Sequence, residues 1–155
     1  MLVESDDVST ARERRRGYED ALRSAGIRPD ERLLVRTTVD ADGGRTGMEQ
    51  LLALDERPTA VFTVNNLVAV GAIEAVRAAG LDVPADVALV CFDDIQLASR
   101  LYPFLTVMEQ PAETLGSLGT ELLLQRVEGR TGADERLVVL PAQFKVRRSC
   151  GARAA

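Results

Sequence analysis

The sequence predicts an α/β fold with an open parallel sheet and helices on both faces. Two observations carry that prediction. Residues 58–94, PTAVFTVNNLVAVGAIEAVRAAGLDVPADVALVCFDD, read as strand, helix, strand. Two apolar strands joined by a helix form a βαβ unit, which is parallel and crosses over right-handedly. Both strands also run into polar residues, Asn65-Asn66 and Asp93-Asp94. The carboxyl ends of parallel strands are where open α/β sheets bind ligands.

Taken in order, residues 1–8 are acidic and polar and read as a loose tail. Thr10 and Glu13 have the spacing of a capping box, opening a helix with Ala11, Tyr18, Ala21, Leu22 and Ala25 on one face and Gly26 at its end. Arg12, Arg14, Arg15 and Arg16 form a basic run, and Arg15–Glu19 and Arg16–Asp20 stand at i, i+4, as on a solvated face. Pro29-Asp30 marks a turn before a strand at 33–39. Residues 40–44 read as a loop and 45–54 as a short helix with Met48, Leu51 and Leu52 inward.

The central unit follows: a strand at 59–64, a helix with Leu67, Val70, Ile73 and Val76 at helical spacing, Gly80 at its C-cap, and a strand at 87–92. Either Asn65 or Asn66 can cap the helix. Residues 95–103 form a loop or broken helix and 105–109 a strand. Pro111 suits the start of a helix reaching Glu128, striped by Leu115, Leu118, Leu122 and Val127 and ended by Gly129. A turn at 132–135, strands at 136–140 and 143–148, and a tail to Ala155 complete the chain.

Composition narrows the function. At 155 residues with 46% apolar and 28% charged residues, one soluble domain is the expectation. A net charge of −5 and 4% aromatics argue against a free-standing nucleic-acid binder. No histidine is present, which removes His-dependent triads and His-ligated metals; with no nucleophile motif, no enzyme, no cofactor and no metal site is expected. Cys91 and Cys150 give neither a disulfide framework nor zinc spacing, no apolar run approaches a membrane span, and the cytoplasm is the expected compartment.

The central stretch resembles the ligand-binding core of LacI/GalR-type transcriptional repressors, whose pattern is roughly PTAVF, then Asn-Asp, a Gly-Ala helix, VP and VVGFDD. Further matches are ARERRRGY at 11–18, FLTVMEQP at 104–111 and VLP at 139–141, so the resemblance spans about 9–151. It departs at Asn66, where the family usually has Asp, and at Cys91, where it has Gly and where a side chain would narrow the approach to the sheet end.

The resemblance implies a periplasmic-binding-protein-like type I fold, incomplete here and consisting mostly of the C-terminal lobe. That lobe would comprise 9–104 with 136–150, and 106–129 would be a strand and helix of an otherwise missing N-terminal lobe, flanked by tails at 1–8 and 151–155. It also implies a homodimeric regulator that senses a small-molecule effector, a sugar or related compound, and binds operator DNA through a helix-turn-helix absent from this chain. A fragment of a sugar-binding protein of an uptake system is the alternative.

By the same resemblance the ligand residues are Arg14, Asn65 and Asp93, with Asn66 and Asp94 beside them and Val39 at the position of a stacking residue. The chemistry is coherent: Arg donates several hydrogen bonds, Asn donates and accepts, and Asp accepts from two hydroxyls. The competing readings are a helix cap for Asn65-Asn66, a turn for Asp93-Asp94, and core or pocket wall for Val39.

Overall fold

A computed structural model describes residues 1–130 and 137–152. Its elements are β1 (Leu2–Val3), α1 (Ser9–Ser24), β2 (Val35–Arg36), α2 (Ala41–Leu52), β3 (Ala60–Thr63), α3 (Asn66–Ala78), β4 (Ala88–Phe92), α4 (Gln96–Leu101), β5 (Thr106–Glu109), α5 (Ala112–Val127) and β6 (Gln143–Lys145). Among the described residues they form one sheet in the order β2-β1-β3-β4-β5-β6, parallel throughout except for antiparallel β6. The predicted βαβ unit is present: β3 pairs with β4 from Ala60↔Ala88 to Thr63↔Cys91.

This order makes the chain leave β1 in one direction through α1 and return past it through α2. Right-handed crossovers then put α1 on one face and α2 and α3 on the other. The side chains obey the division. Val61, Thr63, Leu89, Cys91 and Val107 are buried, whereas their alternates Phe62, Val90, Phe92 and Met108 line a groove with α1. Cys91 therefore lies on the α2/α3 side and does not narrow the groove. Its thiol is fully buried, donates to the carbonyls of Phe92 and Asp93, and is pushed up to about 12 by burial.

The sheet corrects the expectation for the N-terminus. Met1, Leu2 and Val3 are buried, and β1 is a central strand between β2 and β3. Two residues are too few to show a period, and the acidic run from Glu4 to Asp7 masks them. The loose part begins only after Val3, and β1 supplies the strand that orients α1. β5 is likewise part of this sheet, pairing with β4 from Val90↔Thr106 to Phe92↔Met108, so the expected assignment of 106–109 to another lobe fails for the strand.

Other differences are local. The Thr10–Glu13 capping box does not form, because α1 starts at Ser9 with Val8 at its cap. β2 is shorter than the expected 33–39, since Leu33 ends a 3-10 turn (Glu31–Leu33) capped by Asp30. α2 begins four residues early, because Asp40 accepts the Gly43 amide at 2.7 Å and caps it. Leu67 is 54% exposed, and α3 buries Val68, Ala69, Gly71, Ala72, Ala75 and Val76 instead. Residues 137–140 form no strand, and β6 covers only Gln143–Lys145. The expected turn at 132–135, Arg136 and residues 153–155 lie outside the described residues.

The early start of α2 places glycines against α3. A Cβ on Gly44 would lie 2.1 Å from the Val68 carbonyl oxygen, and one on Gly71 would lie 1.8 Å from that of Ala41. Backbone-to-backbone contact leaves no flexible atom to give way. What reads as a loop-forming Gly-Gly is a packing surface.

α5 contrasts with this pair. None of its residues is buried among the described residues: in its stripe Leu115 is 42% exposed, and Leu118 and Leu122 are half-buried. The two situations predict opposite responses to the same substitution. Gly71→Ala should destabilise the chain by about 3 kcal/mol. Gly116→Ala, with nothing within 4 Å, should raise stability by about 0.5–1 kcal/mol through helix propensity alone. Urea unfolding midpoints would read both.

Candidate functional site

The carboxyl edge of the sheet gathers the predicted residues. Asn65 follows β3 and Asp93 follows β4, and the in-register pairing of these strands sets the two turns side by side. Asn65 is the cap of α3: its Oδ1 accepts the Val68 amide at 2.8 Å, which leaves its NH₂ toward the edge as the donor group. Of the two capping candidates, the structure uses Asn65. Asn66 Nδ2 donates to the Asp94 carbonyl at 3.1 Å and ties the two turns together.

Arg14 reaches this edge from α1. Its Nη1 donates to the Val64 carbonyl at 2.9 Å, and its guanidinium carbon lies 3.9 Å from the centre of the Phe92 ring. Stacking and one hydrogen bond hold the plane and leave further N–H groups for a ligand. Its neighbours form the expected i, i+4 pairs, Arg15 with Glu19 at 2.7 Å and Arg16 with Asp20 at 3.8 Å, but only the second is on a solvated face, since Arg15 is half-buried and also binds Asp6 and Glu31.

Asp93 has φ 71°, a left-handed conformation that costs a non-glycine residue about 1 kcal/mol. Its amide donates to the Met108 carbonyl at 3.0 Å, and its Oδ1 accepts from Gln110 Nε2 at 2.6 Å. Gln110 joins the predicted residues at this edge, a position the sequence reading missed. It follows β5 just as Asn65 and Asp93 follow their strands, and that position was the available signal.

Asp94 does not present its carboxylate at the edge. Its side chain is 5% exposed and bonded to Arg147 (Nη2 to Oδ2, 2.5 Å; Nη1 to Oδ1, 2.8 Å), to the Ser99 hydroxyl and to the Ile95 amide. These bonds, those of Arg147 foremost, hold its carboxyl down at about 2. Val39 sits 38% exposed on the β2–α2 connection and is not part of the groove wall.

The groove beside this edge is largely apolar, and of Arg14, Asn65 and Asp93 only Arg14 lines it. An open groove of about 610 Å³ runs along the sheet face beside α1. Phe62, Val90, Phe92, Met108 and Phe144 floor it, while Arg14, Gln110, Thr10 and Glu13 supply its polar groups. No cluster of metal-ligating side chains occurs among the described residues, and none of their helices is long and apolar enough to cross a membrane.

A doubly wound sheet with Arg, Asn, Asp and Gln side chains gathered at its carboxyl edge is the architecture of a ligand-binding lobe. The chain belongs to the family of periplasmic binding protein-like domains, whose model matches residues 1–150. Within that family its relatives are LacI-type regulators.

It is 39% identical over 133 residues to the ribose operon repressor of Haemophilus influenzae, covering 86% of this chain and 40% of that protein. It is 36% identical over 128 residues to the transcriptional repressor PurR of Edwardsiella ictaluri, covering 83% and 38%. The structure of the transcriptional regulator CelR in complex with cellobiose superposes with a TM-score of 0.86 at 34% identity, covering 96% of this chain and 46% of that one. The chain thus spans about 40% of the length of the curated relatives it matches.

The Asp94–Arg147 pair sets a pH dependence. The Asp94 carboxyl lies at about 2 in the fold against an ordinary 3.8, so its contribution is fully present above about pH 4 and is lost as pH falls toward 2. The difference corresponds to about 2 kcal/mol. Urea unfolding between pH 5 and pH 2 should show that loss, and Asp94→Asn, already less stable at pH 7, should show a shallower decline over the same range.

Proposed function

We propose that this chain is the effector-sensing part of a LacI-type transcriptional regulator, and that Arg14, Asn65 and Asp93 are its effector contacts. The observation that carries the reading is their convergence, with Gln110, at the carboxyl edge of one parallel sheet. The group set suits a polyol: the carboxylate accepts from hydroxyls, while the guanidinium and amides donate to ring and hydroxyl oxygens. A sugar or related small molecule is the effector class, in keeping with the cellobiose held by CelR.

Asn66 and Asp94 support these contacts from behind, while Val39 lies outside the groove wall. The function is sensing rather than catalysis, in the cytoplasm, with no cofactor and no membrane. α5, bare in this chain, is assigned to the opposing lobe, which would close the other half of the cleft. The operator is read through a helix-turn-helix belonging to the regulator but outside this chain, and the regulator is a homodimer. The alternative of an uptake sugar-binding protein gains nothing from the relatives, which are named as repressors.

In the whole regulator, Asp93→Ala should weaken effector binding at least tenfold, the cost of hydrogen bonds to a charged group, while operator affinity stays unchanged. Titration with cellobiose, D-ribose and a wider sugar panel, alongside an operator-binding assay, reads both. An effector response that survives the substitution would refute the assignment.

A further inference from the structure

The Asp93 turn holds an unfavourable backbone conformation beside an exposed sheet edge. Such a conformation persists only where its surroundings over-determine it. Part of the restraint is visible at the turn itself: the Asp93 amide is tied to Met108, its carbonyl receives the Cys91 thiol, and its carboxylate receives Gln110. The rest comes from the next residue. Asp94 is locked to Arg147, which lies 53 positions on in the sequence, just after β6.

Arg147 is itself anchored on every side. Its backbone amide donates to the Thr106 hydroxyl at 2.8 Å, and that hydroxyl lies 3.0 Å from the Arg147 carbonyl. Its Nη1 also donates to the Leu105 carbonyl at 2.9 Å and to the Ser99 hydroxyl at 3.0 Å. With the arginine side chain 13% exposed and its partner 5% exposed, the pair is largely shielded from solvent. Two parallel N–H···O bonds fix orientation as well as distance, which a lysine cannot reproduce.

We propose that Arg147 is a positioning residue for the effector site: by clamping Asp94 to the β5–β6 end of the sheet, it holds the adjacent Asp93 carboxylate where Gln110 and an effector meet it. The proposal rests on the reading of Asp93 as an effector contact, and the test separates the two.

The test uses NMR on the whole chain with Arg147→Met and the milder Ser99→Ala, which removes the hydroxyl bridging Asp94 and Arg147. The readout is the Gln110 side-chain amide, whose bond to Asp93 should displace its resonances from those of a free glutamine. In folded Arg147→Met those resonances should revert to free-glutamine positions, while the Gly44 and Gly71 amides of the α2–α3 contact stay in place. Ser99→Ala should move them part of the way, and it decides the question if Arg147→Met does not fold.

A folded variant with Gln110 at its native position would overturn the proposal. Cellobiose titration of the whole regulator supplies the second arm: Arg147→Met should raise the Kd at least tenfold, as should Asp93→Ala. If Asp93→Ala leaves cellobiose affinity intact, the reading of the site fails, and the Gln110 resonances still decide whether Arg147 positions the turn. If Asp93→Ala abolishes binding and folded Arg147→Met changes neither readout, the positioning proposal fails alone.

Discussion

Level pairing of β3 with β4 is the constraint on which the rest depends. Parallel strands in register end together, so the residues that follow them, Asn65 and Asp93, arrive at one height on one edge. A slip of one residue would turn every side chain of β4 to the other face, putting Phe92 into the α2/α3 core and Cys91 into the groove. It would also remove the ring on which Arg14 stacks. Site and core are therefore set by one hydrogen-bond ladder.

Each edge residue has two duties. Asn65 caps a helix with its oxygen and offers its nitrogen, and Arg14 binds a strand carbonyl with one nitrogen and offers the others. Using half of a polar group for the fold is what freezes the other half for a ligand, and a frozen group loses less entropy on binding. The competing readings of these residues, cap or contact, are thus not exclusive: the cap orients the contact. For Asp94 they are exclusive, since Arg147, Ser99 and Ile95 leave its carboxylate fully occupied.

The central βαβ unit and its polar strand ends were legible because they are long, apolar and sharply punctuated. β1 was not, because its two residues derive their strand character wholly from neighbours the local sequence does not contain. The Gly43-Gly44 pair reads as a loop because propensity records the cost of glycine in a helix but not the Thr38 backbone lying against Gly43 or the α3 backbone lying against Gly44. Leu67 was read as core from its period, whereas the smaller Ala and Gly positions of α3 are the ones that approach the sheet and α2. The Asp94–Arg147 pair was illegible in principle, since nothing local links positions 53 residues apart. Gln110 is legible, since it follows β5 as Asn65 and Asp93 follow β3 and β4.

The fastening of residues 147–149 seals the middle of the sheet. Ser149, fully buried, accepts the Thr106 amide and donates to the carbonyl of Leu89, in the middle of β4. Until it arrives, an amide and a carbonyl in the heart of the sheet are without these partners, each costing about 1–3 kcal/mol if buried so. A chain cut before residue 147 would keep β4 and β5 paired but unsealed, and its centre would stay wet.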